Sequence, residues 1–110
     1  MKVKYYLTSS GRSPVEEFLV EQSQEIRSDY LDTIILLEEG QGLTMPLSRN
    51  LSSIHKGLHE LRLKDRTGAY RFFYFIKKAD AIYFVHAFKK KTQELPQKEI
   101  DVVLKRIKEV

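Results

Sequence analysis

Basic side chains stand in the middle of apolar segments in the second half of the chain. The segments "LHELRLK", "AYRFFYFI" and "AIYFVHAF" contain Arg62, Arg71 and His86, and Lys90 follows the third. Arginine forks bind phosphate oxygens bidentately and stabilise the extra negative charge of a pentacovalent phosphorus transition state. The residue types therefore indicate phosphate chemistry.

Three consecutive lysines, Lys89, Lys90 and Lys91, follow the third apolar segment in "HAFKKKTQELP". Adjacent positive charges at the end of a hydrophobic segment favour an anionic ligand. The overall charge is also asymmetric: residues 1–55 carry five Lys/Arg against eight Asp/Glu, and residues 56–110 carry fourteen against seven. Such asymmetry is typical of a protein that binds a polyanion with one end, and a solvated basic face is the alternative.

Turn length decides which of these residues share a face, because side chains alternate along a strand. Loops of four residues at 65–68 and 77–80 would place Arg62 opposite Arg71, and Arg71 opposite His86. The prediction is a row of three side chains across one face of a sheet, which a bulge would break. The same register sets further residues side by side: Lys64 and Ala69, Ile76 and Ala81, Phe73 and Phe84, Phe75 and Ile82.

Two arginines opposite each other are unfavourable for folding unless something compensates their charge. A bound phosphate is one candidate, and Glu60, two residues from Arg62 on the same face, is the other. His86 stands between Phe84 and Phe88 at alternate positions and is either a hydrogen-bonded core residue or a proton carrier. His59 is expected on the opposite face with a structural role.

The elements that position these residues form one α+β domain over residues 1–110, in the order β-α-α-β-β-β-α. Helices are expected to pack on a twisted, mainly antiparallel sheet, and residues 41–57 are expected to form a connecting loop. Ser13-Pro14 starts the first helix, since proline tolerates the first helical position. The other expected elements are strands at about Lys2–Leu7, Leu58–Lys64, Ala69–Ile76 and Ala81–Phe88, and helices at about Ser23–Glu39 and Pro96–Lys108.

Several classes of function lack the residues that they need. The sequence has no cysteine, which excludes disulfides and thiolate chemistry. Neither a His/Asp/Glu constellation with ligand spacing nor a glycine-rich phosphate loop is present, so neither a metal nor a cofactor is expected. The apolar part of "MKVKYYLTSS" is too short for a signal peptide, and no stretch approaches membrane-spanning length. A cytoplasmic protein without membrane contact is expected.

The motifs "GLHELRLKDRTGAYRFFYF" (57–75) and "IYFVHAFKKKTQELPQKEI" (82–100) resemble the RelE superfamily, specifically its HigB-like toxins. Leu-x-Glu-Leu-Arg, Tyr-Arg-x-x-Tyr and His-x-Phe-x-Lys-Lys with a Pro-led helix are typical of that group. The order of strands and helices matches along nearly the whole chain. The first 55 residues match only in this pattern.

The resemblance implies a toxin of a type II toxin–antitoxin system that cleaves mRNA in the ribosomal A site. Its implied partners are the ribosome, mRNA and a cognate antitoxin of the helix-turn-helix HigA type. Operator DNA would be bound only through the antitoxin complex. Two other readings stay open: a ParE-like gyrase inhibitor of the same fold, and a nucleic-acid-binding module without catalysis, whose affinity would fall steeply with salt.

The resemblance also implies roles for individual residues. Arg71 matches the arginine that contacts the scissile phosphate, and Lys90 matches a basic residue that supports the developing charge. Arg62 and Lys64 match basic positions on the preceding strand. The catalytic set is thus Arg62, Arg71, His86 and Lys90, and the RNA-binding set is Lys64, Lys89 and Lys91.

One departure concerns proton transfer. Some members of the superfamily carry a catalytic tyrosine after the basic segment, whereas "TQELP" has no aromatic residue. The implied reaction is attack of the ribose 2′-OH on the adjacent phosphate without a metal. A lysine crowded by like charges, whose neutral form is favoured, or His86 would accept the proton.

Overall fold

The computed structural model describes residues 1–78 and 81–110. It contains a five-stranded sheet with helices on both faces, which confirms the predicted α+β class. The strands are β1 (Lys2–Tyr5), β2 (Ser48–Asn50), β3 (Leu58–Asp65), β4 (Gly68–Lys78) and β5 (Ala81–Lys90). The helices are α1 (Pro14–Val20), α2 (Gln24–Glu38) and α3 (Gln97–Ile107).

The sheet has the strand order β1-β5-β4-β3-β2. Only β1 pairs in parallel, with β5, and the other neighbours are antiparallel. The short strand β2 lies inside the segment that was expected to be a loop, so that expectation was wrong at residues 48–50. Three residues of the sequence "SRN" show no period of their own, and their strand conformation comes from pairing with β3.

Helices α1 and α2 cover one face of the sheet, which we call the α1/α2 face. Its core joins Val15 and Tyr30 of the helices to Phe72 and Phe84 of the strands. Each such side chain contributes about 1.5–3 kcal/mol by leaving water. Ser23 caps α2 by accepting the amide of Ile26 at 3.2 Å.

Helix α3 packs on the opposite face, the α3 face, through Val103 and Ile107 against Phe73 and Val85. This second core covers only part of the face. The remainder of the face carries charged side chains, because positions 60, 62, 64, 69 and 71 of β3 and β4 alternate with the buried residues of the α1/α2 core.

The register between β3 and β4 is the predicted one. Arg62 lies opposite Arg71, and Lys64 lies opposite Ala69. The turn is tighter than expected, since the strands continue to Asp65 and from Gly68. An even number of residues was removed from the loop, so the pairing and the faces are unchanged.

The register between β4 and β5 was predicted incorrectly. Phe73 pairs with His86 and Tyr74 pairs with Phe84, so β5 has one extra residue, Val85, at this point. The bulge places both Val85 and His86 on the α3 face, whereas Phe84 before it and Ala87 after it pack in the α1/α2 core. The predicted Phe73–Phe84, Phe75–Ile82 and Ile76–Ala81 pairs are replaced by Phe73–His86, Phe75–Tyr83 and Ile76–Ile82. Part of the predicted 77–80 loop, Ala79 and Asp80, lies outside the described residues.

Candidate functional site

Two arginines and a carboxylate meet on the uncovered part of the α3 face. Glu60 and Arg62 are alternate residues of β3, and Arg71 stands opposite Arg62 on β4. Glu60 Oε2 lies 3.6 Å from Arg71 Nε, and Glu60 Oε1 lies 4.0 Å from Arg62 Nε. Glu60, one of the two predicted compensations, therefore contacts both arginines, and one carboxylate faces two guanidinium groups.

Arg71 is nearly buried, with 6% of its surface exposed. Its Nη1 donates to the carbonyl of Tyr70 at 3.2 Å. The 3.6 Å separation from Glu60 is too long for a hydrogen bond, and Nε has no hydrogen-bond partner among residues 1–78 and 81–110. Burial lowers the pKa of Arg71, an effect that Glu60 opposes and Arg62 reinforces.

Lys90 joins this group from β5. It pairs with Ala69, which in turn pairs with Lys64, so the two lysines share the α3 face. Burial lowers the pKa of Lys90, and the nearby charge of Arg71 lowers it further. We call Glu60, Arg62, Arg71 and Lys90 the arginine cluster.

Arg49 is a neighbour of the arginine cluster that the sequence analysis missed. It lies on β2 opposite Glu60, and its charge adds to the repulsion that lowers the pKa of Lys90. Its side chain is exposed. Since β2 was expected to be a loop, Arg49 was not assigned to a face, and "LSRNL" has no polar–apolar alternation that could have indicated a strand.

His86 does not stand opposite Arg71 as predicted. A hairpin register shifted by one residue and the bulge at Val85 together place it opposite Phe73, and Arg71 instead faces Phe88. His86 remains on the α3 face, where its ring lies nearly parallel to those of Phe73 and Phe88 at centroid distances of 6.1 and 5.9 Å.

Both ring nitrogens of His86 face helix α3. Nε2 lies 2.8 Å from Glu99 Oε1, and Nδ1 lies 3.4 Å from Arg106 Nη1, which also donates to the Val85 carbonyl at 2.9 Å. Burial lowers the pKa of His86 although Glu99 opposes the shift. We call His86, Glu99 and Arg106 the histidine cluster. It joins β5 to α3 and makes no contact with the two arginines of the arginine cluster.

The three consecutive lysines separate in the structure. Lys90 belongs to the arginine cluster, whereas Lys89 Nζ lies 5.6 Å above the ring of Tyr70, on the α1/α2 face. Lys91 follows the end of β5 and lines a cavity of about 410 Å³ together with Phe88 and Lys98. Strand alternation thus places adjacent lysines on different faces. His59, as predicted, faces the other side and stacks on Tyr74 at 5.0 Å.

A groove of about 600 Å³ begins at the arginine cluster and extends over the end of β3 to helix α2. The sequence analysis did not predict this groove, because its walls come from three separate segments, within residues 29–36, 46–47 and 62–71. The residues that line the groove are Asp29, Asp32, Thr33, Leu36, Pro46, Leu47, Arg62, Leu63, Lys64, Ala69 and Arg71.

Metal ligation has no support within the described part of the chain, which contains no group of three or more His, Asp or Glu side chains placed to hold an ion.

A comparison with known protein families finds a match over most of the chain. Residues 17–108 match the family described as "Phage derived protein Gp49-like (DUF891)". The match spans the second half of α1, all of α2 and α3, and the arginine cluster. The search of curated proteins finds no match. None of the helices among the described residues is long and apolar enough to cross a membrane.

Proposed function

Because the chain belongs to the Gp49-like family, a RelE-like family associated with the toxins of toxin–antitoxin systems, we propose that it is a HigB-like toxin that cuts mRNA on the ribosome. The reaction is transphosphorylation by the ribose 2′-OH, which yields a 2′,3′-cyclic phosphate and a free 5′-OH. The family implies an antitoxin partner in general. We propose that this antitoxin is of the helix-turn-helix HigA type and that operator DNA is bound only by the complex.

The observation that carries the proposal is the nearly buried guanidinium of Arg71 with an unfilled donor. A buried charge is costly unless it is paired and hydrogen-bonded. Glu60 is shared between Arg71 and Arg62, and Lys90 adds a third positive charge. An anion with several oxygens, such as a phosphodiester, would neutralise the excess positive charge and accept hydrogen bonds from the unused N–H donors.

The cluster supplies the parts that the reaction needs. Arg62 and Arg71 would hold the non-bridging oxygens and stabilise the charge that grows on them in the transition state. Glu60 would keep the two guanidinium groups in position. Three cationic side chains around one carboxylate would repel a divalent cation, so the chemistry proposed uses no metal.

Proton transfer is assigned to Lys90. Its lowered pKa increases the fraction of neutral amine near pH 7, which a general base requires. The amine would take the 2′-OH proton as the 2′-oxygen bonds to phosphorus and the bond to the 5′-oxygen breaks. The leaving 5′-oxygen would take a proton from solvent. His86 was the competing candidate, but its ring nitrogens contact Glu99 and Arg106.

The first test is primer extension on cellular mRNA after brief induction of wild type and Arg71→Lys. Lysine keeps the positive charge and loses the bidentate fork, so we expect cuts within translated frames in wild type and a loss of about 100-fold or more in the variant. Arg12→Ala, which removes an exposed arginine paired only with Glu17 on α1, is the matched control and should cut like wild type.

Other outcomes would replace the proposal. Wild type that stops growth without cutting mRNA, with loss of supercoiling in a topoisomerase assay, would support the gyrase inhibitor. Wild type that binds RNA in a salt-dependent way but neither cuts it nor stops growth would support a binding module. Cutting that survives in Arg71→Lys and also in Arg62→Ala would show that the site lies elsewhere.

A further inference from the structure

Charged side chains of opposite sign line the 600 Å³ groove. The basic wall consists of Arg62, Lys64 and Arg71 of the sheet, and the acidic wall consists of Asp29 and Asp32 of α2. Leu36 and Leu47 add apolar atoms to the lining. The volume lies within the range of small-molecule sites, about 300–1,000 Å³. A ligand that fills this groove must therefore offer an anion at one end and hydrogen-bond donors at the other.

The acidic wall is one continuous stripe of α2. Asp29, Asp32, Thr33 and Leu36 follow the helical spacing i, i+3, i+4 and i+7, which places them on one side of the helix. Neither Asp29 nor Asp32 has an ion pair within 4.0 Å or a side-chain hydrogen bond to any residue that the structure describes. Their carboxylate oxygens are free to accept from a ligand.

The basic wall supplies an independent reason to expect a ligand in the same groove. Arg71 lines the groove and is nine-tenths buried, with 6% of its surface exposed. Its Nε has no hydrogen-bond partner among the described residues. A phosphate held there would leave the rest of a nucleotide to extend along the groove toward α2.

We propose that this groove is a nucleotide subsite in which the carboxylates of α2 recognise a guanine base beside the phosphate bound by the arginine cluster. Guanine offers two adjacent donors, N1–H and the N2 amine, on its Watson–Crick edge, and the two oxygens of a carboxylate match them. Among the four RNA bases only guanine has such a pair. Single-stranded RNA exposes this edge to proteins. The inference rests on the proposed function and names its sequence preference.

The test measures direct binding of the four nucleoside 3′-monophosphates to the full chain by calorimetry. A bidentate contact with a base edge discriminates by about 1–3 kcal/mol, so guanosine 3′-monophosphate should bind about tenfold more tightly than the adenosine compound. In the double variant Asp29→Asn/Asp32→Asn the ratio of the two affinities should fall to about one. The ratio is the readout because loss of negative charge strengthens the binding of every phosphate.

Two controls distinguish recognition of the base from binding of the phosphate. Asp101→Asn makes the same chemical change on α3, outside the groove, and should keep the guanine preference. Arg71→Lys should weaken all four nucleotides alike. Equal affinities in wild type, or a guanine preference that survives the double variant, would overturn the inference.

The binding test and the mRNA test fail separately. Cleavage of mRNA without any preference for guanosine compounds would leave the proposed function in place and remove this inference. A guanine preference without mRNA cleavage would support this inference and contradict the proposed function. Tighter binding of a lysine-rich peptide than of any nucleotide, lost in the Asp29→Asn/Asp32→Asn variant, would assign the acidic wall to a partner protein and overturn the inference.

Discussion

The arginine cluster and the histidine cluster lie on the same face of the same sheet, and they differ in how well their charges are satisfied. In the histidine cluster, a 2.8 Å hydrogen bond joins His86 to Glu99, and Arg106 donates to a backbone carbonyl at 2.9 Å. In the arginine cluster the ion-pair distances are 3.6 and 4.0 Å. Buried polar groups are normally hydrogen-bonded, so the difference supports the proposal that the arginine cluster binds an anion, whereas the histidine cluster is a structural contact.

Glu60→Gln should have the largest effect on stability, because it removes the carboxylate that contacts both Arg62 and Arg71. Breaking a buried ion pair by removing one partner costs about 3–5 kcal/mol. We expect a loss near the lower end, since Arg62 is partly exposed. Urea unfolding with and without inorganic phosphate measures it. Phosphate should stabilise the variant more than wild type, and no difference in the phosphate response would contradict an anion site.

Glu99→Gln should have a smaller effect and should leave phosphate binding unchanged. The variant replaces a charged acceptor of His86 by a neutral one, and hydrogen bonds to charged groups contribute about 1.5–3 kcal/mol against about 1 kcal/mol for neutral ones. We expect a loss of about 1 kcal/mol in unfolding free energy. Hydrogen exchange should become faster in α3 and stay the same in α2. A weaker phosphate response in this variant would show that the two clusters are coupled.

The pH dependence of stability should come partly from His86. Its pKa is lower in the folded protein than the ordinary value of 6.5, because burial disfavours the charged ring. Its contribution is therefore complete above pH 6.5 and is lost as the pH falls below it, since the unfolded chain binds the proton more readily. Unfolding free energies between pH 7.5 and 5 should decline more in wild type than in His86→Gln, with a slope difference below about 1.4 kcal/mol per pH unit. Parallel curves would contradict this assignment.

Arg49→Ala should have the smallest effect. The side chain is exposed, so stability should change by less than about 0.5 kcal/mol. Its charge contributes to the field around Lys90, and its loss should reduce that repulsion and shift the activity profile to higher pH by a fraction of a unit. A pH series of mRNA cleavage measures the shift, with exposed Arg27→Ala on α2 as the control. An unchanged profile would remove Arg49 from the site.

The β3–β4 hairpin shows how much of the site could be predicted. Its register follows from alternation and an even turn, so Arg62 and Arg71 were correctly placed opposite each other. The β4–β5 pair shows where such reasoning ends. Val85 and His86 follow each other in the chain, and the local pattern does not indicate that a bulge places both on the α3 face. A hairpin register shifted by one residue and the extra residue Val85 together moved His86 by two positions, from Arg71 to Phe73.

Four features could be predicted from the amino-acid sequence: the α+β class, the element order apart from β2, the concentration of basic residues in residues 56–110, and the arginine pair. These depend on local periodicity, composition and one short turn. Other features depend on how distant segments pack. They are the bulge at Val85, the contacts of His86 with Glu99 and Arg106, and the position of Arg49 opposite Glu60. The groove that Asp29 and Asp32 share with Arg71 is a further one. Each of these joins segments distant in sequence, and their positions depend on how two cores pack on opposite faces of one sheet.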